Sequence, residues 1–443
     1  MKNFPLIGPY AGNSILGWKN KKPISIERFL TDVNHLSQNL LQKSWMLNIC
    51  SNRYHFLVGF AAALIRGQTN ILPPNKTLKG LQSIISQFPD IYCFKDHWDG
   101  GDLRIPCMEF SSQSESLSEP PPVENIPGSH TAVIAFTSGS TGSPQPHLKS
   151  WESMVAIARN TGHRLIPEKD EQFSIVATVP PQHMYGLETS IMLPLQHNGI
   201  MHEACPFFPE DILDALESVP ARRILVTTPL HLKACVESSV QFPEISLIIS
   251  ATAPLSRELT LKAEKAFNTQ IFEIYGCTEA GSLATRQTSS SETWQLLEGI
   301  DLKGNHDQCN VDASYLPEPV LLPDIIKNLG SNRFELEGRT EDLINIGGKR
   351  ISLSELNYRL NEIKGVVEAS YFVPPQNESR HNRLVAFVVT KSLQKKDILQ
   401  ALRQTLDPVF LPRPLYFVKR LPRTSSGKIT QKDLLDIFFH FSS

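Results

Sequence analysis

The apolar positions of this chain follow two different periods. Across residues 26–41, Ile26, Phe29, Leu30, Val33, Leu36 and Leu40 recur at helical spacing, which predicts a helix with one buried face. A short apolar run at 46–50 precedes a second predicted helix over 53–66. Within that helix, residues 56–65 (FLVGFAAALI) form the longest uninterrupted apolar stretch; it is too short to span a bilayer and reads as a buried helix. Asn70, Ile71 and Leu72 then run into Pro73 and Pro74, which cannot continue a sheet interior. Strand, helix, strand is an α/β rhythm. Buried-strand patterns recur at 131–136 (TAVIAF), 174–179, 223–227, 245–249 and 270–275, with helical stretches between them. The Ser/Glu/Pro tract at 111–130 contains three consecutive prolines and is expected to be a surface connector.

The last hundred residues have their own pattern. Helices are predicted at 353–363 and 395–406, and strands at 366–373, 383–389 and 415–418. That is an α+β module of ordinary domain size, with its boundary expected near Gly338, Arg339, Thr340, Glu341 and Asp342. No repeat of 20–50 residues is visible.

Composition narrows the classes. The chain has 443 residues, 41% of them hydrophobic, and 43 basic against 45 acidic residues give a net charge of −2. It can bury a core, so wholesale disorder is not expected. The balanced charge lacks the footprint of a dedicated nucleic-acid binder. No secretory signal and no membrane span are expected. The seven cysteines, Cys50, Cys93, Cys107, Cys205, Cys235, Cys277 and Cys309, are scattered without a C-x-x-C pair, which fits reduced thiols and a cytoplasmic location.

Three short segments carry chemistry. Thr137-Ser138-Gly139-Ser140-Thr141-Gly142-Ser143-Pro144 follows the TAVIAF strand. Its glycines allow close backbone approach, and its hydroxyl and N–H donors can wrap phosphate, although no Gly-Lys-Ser/Thr ends it. Read alone, the run also fits a flexible turn. Tyr275-Gly276-Cys277-Thr278-Glu279 ends an apolar strand, where α/β sheets bind ligands. Its tyrosine can stack on a base, its threonine can donate to phosphate and its glutamate can hold Mg²⁺. Leu421-Pro422-Arg423-Thr424-Ser425-Ser426-Gly427-Lys428-Ile429 puts a lysine on a Ser/Gly loop, a mobile cation suited to developing negative charge. Alone it is equally a solvated basic loop.

In this order the three segments resemble the adenylate-forming superfamily, which includes acyl-CoA and aryl-CoA ligases, acyl–carrier-protein ligases, nonribosomal adenylation domains and luciferases. The resemblance runs from about residue 130 to the C-terminus, and the first 130 residues match more loosely. It implies an α/β fold: a large multi-sheet N-terminal domain (1–338) that binds nucleotide and acyl group, and a small α+β C-terminal lid domain (339–443) that is mobile and carries the catalytic lysine. Pro181-Gln182-His183-Met184-Tyr185-Gly186 is similar to the family's acyl-pocket segment, with His183, Tyr185 and Gly186 as the pocket residues. Ser250-Ala251-Thr252-Ala253-Pro254-Leu255 resembles the adenine loop through Thr252 and Ala253. Asp324, 15 residues before Arg339, has the spacing of the ribose-binding acid. Glu341 falls at the interdomain hinge, Gly347-Gly348-Lys349-Arg350 at the loop that approaches the thiol acceptor, and Lys428 on the catalytic lysine.

The resemblance implies a two-step reaction with ATP and Mg²⁺. A carboxylate attacks the α-phosphate of ATP, giving an acyl-adenylate and pyrophosphate; a thiol, either coenzyme A or the phosphopantetheine of an acyl carrier protein, then displaces AMP. Thr137, Ser138, Ser140 and Thr141, on a loop bent by Gly139 and Gly142, would hold phosphates; Thr278 would contact the α-phosphate and Glu279 the metal; Tyr275 and Gly276 would face adenine. Asp324, Arg339 and Arg350 complete the implied nucleotide contacts. The sequence departs from the family where Gln145 and Pro146 replace the usual lysine and glycine, and Lys149 is expected to supply the cation instead. The hinge residue is Glu341 where Asp or Lys is usual, and residues 294–319 lack a clear copy of the Gly-rich strand pair. The 48–74 block and the variant loop TGSPQPHLKSW look like the short ligases of aryl-polyene and xanthomonadin pigment pathways, implying an aryl acid such as a hydroxybenzoate. A fatty acid, a non-catalytic nucleotide binder and a γ-phosphate transferase that releases ADP stand as alternatives. On this reading Lys428→Ala abolishes adenylate formation and spares thioester formation from supplied acyl-adenylate; equal loss in both half-reactions would overturn the role of Lys428.

Overall fold

A computed structural model describes residues 2–10, 14–111, 121–138, 144–166, 171–305, 308–339, 343–346, 349–374, 384–423, 429 and 431–442. The chain divides into two compact units, residues 1–301 with 312–320 and residues 302–311 with 321–443. This division falls earlier than the 338/339 boundary read from the sequence, and it assigns the hairpin of Asp324–Gly330 and Arg333–Arg339 to the smaller unit.

Two sheets organise the larger unit. The first runs in the order Pro144–Ser150, Thr131–Ser138, Thr69–Leu72, Trp45–Asn48, Ile91–Lys95 and Cys107–Glu109. All its pairings are parallel except that of the outermost hairpin. In the second sheet, Ile271–Cys277, Leu247–Ser250, Arg223–Thr227, Phe173–Ala177, Gly199–His202 and Ile15–Lys19 are neighbours in that order and parallel throughout. The buried-strand runs therefore sit where the continuous apolar pattern places them, because a parallel sheet covered on both faces tolerates no polar alternation. The apolar run at 56–65 belongs to the helix Arg53–Ile65, buried nearly all round.

The strand Pro144–Ser150 is not visible in the pattern, since Pro144 and Pro146 argue against a strand. It survives because it lies at the sheet edge, where a missing N–H is harmless. Within the 111–130 tract, Asn125–Pro127 forms a short strand that pairs with Asn3–Pro5.

In the smaller unit, Val366–Phe372, Val385–Thr390 and Leu415–Phe417 form a three-stranded sheet. Leu356 and Leu360 of the helix Leu353–Asn361, with Ile398 and Leu402 of Lys395–Thr405, are buried in one core with Tyr371, Ala386 and Val388 of the sheet. This is the α+β module that the periodicity predicts. Among the described residues no helix is long and apolar enough to cross a membrane.

The helix Arg53–Ile65 is held at its start by two caps. Asn52 Oδ1 accepts from the N–H groups of Tyr54 and His55 at 2.9 and 3.1 Å, and Asp96 accepts from those of Ser51 and Asn52 at 2.8 and 2.7 Å. Burial works against the Asp96 charge, but the His55 ring and the N–H groups of Ser51, Asn52 and His97 outweigh it and hold the carboxyl at about 2. A depressed folded value stabilises the fold above the ordinary value of 3.8, and that contribution is lost as pH falls through about 2. Asp96→Asn is accordingly expected to cost ~2 kcal/mol at neutral pH. Denaturant melts of the two proteins should converge over that acid window, and a pH-independent difference would overturn the assignment.

Candidate active site

The hairpin Thr131–Ser138/Pro144–Ser150 is in register with Gln145 opposite Thr137, Pro146 opposite Phe136 and Lys149 opposite Val133. The main chain at Thr137 and Ser138 thus ends the first strand, and the connection holding Gly139, Ser140, Thr141 and Gly142 lies outside the described residues. Gln145 is exposed. Lys149 is not: it is only 3% exposed, and its ammonium donates to the main-chain carbonyl of Glu279. It is a bridge to a neighbouring segment and not a solvent-facing replacement for the loop lysine.

The segment it reaches is the turn after the strand Ile271–Cys277. The chain reverses through Thr278, Glu279 and Ala280 into the strand Gly281–Arg286, with Tyr275 opposite Ala284 and a bulge between Tyr275 and Gly276. Gly276 is required there, because a Cβ would overlap the Gly281 carbonyl. Gly281 adopts φ +84°, the left-handed region that favours glycine. The Tyr275 ring lies 5.6 Å from Trp294, which carries the Arg286 guanidinium 4.4 Å from its ring centre. The Glu279 carboxylate is 39% exposed, with His147 Nε2 3.5 Å away. Burial lowers the His147 pKa; Glu279 opposes that shift and Lys149 adds to it. Burial, reinforced by Glu279, pushes the Cys277 thiol up to about 12, so it stays protonated and is no nucleophile.

Two further segments meet this turn. Ser250 pairs with Glu273, so the chain leaving Leu247–Ser250 passes beside the Tyr275 strand. Thr252 sits there at φ +79°, a strained conformation for a β-branched residue and one that clusters at binding sites. Thr252 is half-buried and Ala253 exposed. The buried Glu273 ties the loop down: Oε1 accepts from the Leu255 N–H at 3.0 Å, while Oε2 accepts from Arg286 at 2.5 and 3.1 Å and from the Thr288 hydroxyl.

His183 stands at the N-cap position of the helix Met184–Leu187, its side chain making no capping hydrogen bond. The Tyr185 hydroxyl donates to the carbonyls of Thr227 and Ile249 at 3.1 and 2.9 Å, which pins this helix to the ends of two parallel strands. Gly186 packs so tightly that a Cβ would overlap the Pro180 carbonyl. Glu188, next along, is 4% exposed and accepts from the Ser282 N–H at 3.0 Å and from its hydroxyl. Arg53, 1% exposed, closes the region from behind. It donates to Ser190 Oγ at 2.9 Å and to the carbonyls of Ala177, Val179, His202 and Ala204.

In the smaller unit Asp324 is buried and stands opposite Arg339 in the hairpin register. Arg350 pairs with Asn345. Glu341, Gly347, Gly348 and Lys428 lie outside the described residues.

Four sequence-predicted segments thus meet at the strand ends of the larger unit, where α/β folds bind ligands. Glu188, Glu273 and Arg53 are not singled out by the sequence. For Glu188 the signal is a lone charge between the apolar Leu187 and the stretch Ile191-Met192-Leu193, separated from it only by Thr189 and Ser190. Among the described residues no group of three or more His, Cys, Asp or Glu could hold a metal by itself.

Against known proteins, the family model for the AMP-binding enzyme matches residues 95–303, and that for the AMP-binding enzyme C-terminal domain matches residues 358–428. The chain is 30% identical to a 4-coumarate–CoA ligase of Halorhodospira halophila over 314 residues, 68% of this chain and 75% of the relative. It is 28% identical to a 2-succinylbenzoate–CoA ligase of Listeria monocytogenes over 358 residues, 74% of each. The fold matches the ATP-bound crystal structure of MatB from Rhodopseudomonas palustris with a TM-score of 0.81, at 18% identity over 97% of both chains. Gly276→Ala is expected to destabilise the protein by about 1–3 kcal/mol and to weaken ATP binding, read by thermal melts and calorimetry; an unchanged melt would overturn the packing described for the turn.

Proposed function

The chain belongs to the AMP-binding enzyme family and is an AMP-forming acid–thiol ligase that uses ATP and Mg²⁺, and we propose that its acid substrate is an aryl carboxylate. The observation that supports the ligase site is the convergence of the 131–150 hairpin, the Thr278–Glu279 turn, the Thr252 loop and the His183 helix on one end of the parallel strands, each fixed by named hydrogen bonds. The relatives named above act, by their names, on 4-coumarate and 2-succinylbenzoate, both aromatic carboxylates. The 48–74 block and the variant hairpin support the finer assignment to the pigment-type aryl-acid ligases, with a hydroxybenzoate as the acid. Coenzyme A is the acceptor that the relatives' names support; an acyl carrier protein is the alternative for the pigment-type subgroup.

Adenylation brings two anions together, so positioning and charge compensation dominate its barrier. Glu279 suits Mg²⁺ because that ion takes one or two carboxylates and fills its remaining positions with phosphate oxygens and water, and a half-exposed carboxylate on a tight turn offers one such ligand. When bound, the metal neutralises phosphate charge. Thr278, beside it, donates to the α-phosphate. Tyr275, backed by Trp294, presents a ring to adenine, and the strained Thr252 turns its loop across the base. His183 and Gly186 line the acid's approach, and the close packing at Gly186 leaves that wall rigid. Asp324 holds ribose, and Lys428 stabilises the developing charge on the transferring phosphate. Glu341 serves as the hinge, with residues 339–443 moving as the lid.

An ATP–pyrophosphate exchange assay over aryl and straight-chain acids tests this. Exchange should require an added acid, prefer aryl carboxylates and yield AMP as the nucleotide product. Preference for straight-chain acids would overturn the aryl assignment, and absence of exchange with every acid would favour the non-catalytic binder that Gln145 and Pro146 suggest.

A further inference from the structure

Among the described residues Lys149 is the only lysine that is buried. Hiding an ammonium from water is costly, and a neutral donor would satisfy the Glu279 carbonyl equally well. Its surroundings account for the charge. Glu188 lies beneath the same turn, 4% exposed, with Oε2 bonded to Ser282 and Oε1 without a hydrogen-bond partner. The approach of Glu188 is possible because residue 281 is glycine: a Cβ there would lie 2.6 Å from Oε1. The turn is therefore held between a buried cation on the hairpin and a buried carboxylate on the acyl-side helix. Lys149 binds the main chain at Glu279, and Glu188 binds it at Ser282, three residues later.

We propose that Lys149 and Glu188 form a positioning pair that locks the Thr278–Glu279 turn to the strand Pro144–Ser150, so that this phosphate-facing turn keeps one geometry during adenylation. The inference rests on the ligase reading above and adds residues that act through others, without touching substrate. Lys149 also brings a positive charge to the turn from beneath, on a strand that carries the neutral Gln145. A displacement of about 1 Å at the turn suffices to cost ~100-fold in rate.

The test compares Lys149→Met, Lys149→Arg and the double variant Lys149→Met/Glu188→Gln in the full chain. Lys149→Met should lower kcat for ATP–pyrophosphate exchange by ~10- to 100-fold. The KM for the acid should change little, as should thioester formation from supplied acyl-adenylate. Lys149→Arg should recover most of the loss. Amide hydrogen exchange at 277–282, measured without ATP, should accelerate in Lys149→Met. If Lys149→Met does not fold, the double variant, which removes both buried charges, carries the same kcat and amide-exchange readings. An unchanged kcat per folded molecule with a lowered melting temperature would reduce Lys149 to a structural residue and overturn the proposal. Unchanged amide protection would do the same. Should the wild type exchange with no acid, the ligase reading fails by itself, and amide exchange at the turn still decides the bridge.

Discussion

The guanidinium of Arg53 is the contact on which the rest of the larger unit depends. It stands at the start of a helix that packs on the first sheet, yet its donors reach carbonyls at the ends of two strands of the second sheet and the hydroxyl of Ser190. Arginine suits this post because its planar fork spreads charge over several donors and is weakly hydrated. No carboxylate is needed where several carbonyl dipoles converge on the charge. The segment leading to His183 leaves the sheet after Ala177 and passes Val179, whose carbonyls both accept from Arg53, so the acyl wall inherits its position from this joint. Gln182, whose amide donates to the Cys50 carbonyl at 2.5 Å, adds a second tie between the same two sheets.

From that joint outward, the site is a series of charges used as mechanical ties. Glu273 holds the Thr252 loop to the Tyr275 hairpin, Glu188 holds the acyl helix to the same hairpin, and Lys149 closes the circuit to the 131–150 hairpin. Each reaches main chain, so the geometry of the ligand-facing side chains is set one step behind them. Buried side chains that bond main chain hold the segments they join, and the strained Thr252 is the type of residue that needs such support.

Much of this is legible in the sequence. Parallel strands such as Arg223–Thr227 announce themselves as short β-branched runs, and the helix at 53–66 by unbroken apolarity. Tyr275, Thr278 and Glu279 stand out because a polar motif ends an apolar strand. The strand Pro144–Ser150 is not legible: its prolines argue against pairing, and only its place at a sheet edge makes them tolerable. Lys149 looks like a free cation in the sequence because sequence registers charge and not burial; its role depends on Glu279, 130 residues away. The parallel pairing of Ile15–Lys19 with Gly199–His202 is hidden for the same reason, since the two strands are distant in the chain.

That N-terminal strand has a consequence for biosynthesis. Gly17 pairs with Met201, so the strand emerges from the ribosome long before its neighbour exists. At ~5–20 residues per second the wait is roughly ten to forty seconds. During that interval the nascent chain exposes an unpaired β-edge whose inward residue, Leu16, is fully buried in the finished protein. The order of synthesis therefore leaves the Ile15–Lys19 edge to be covered only once Gly199–His202 has been made.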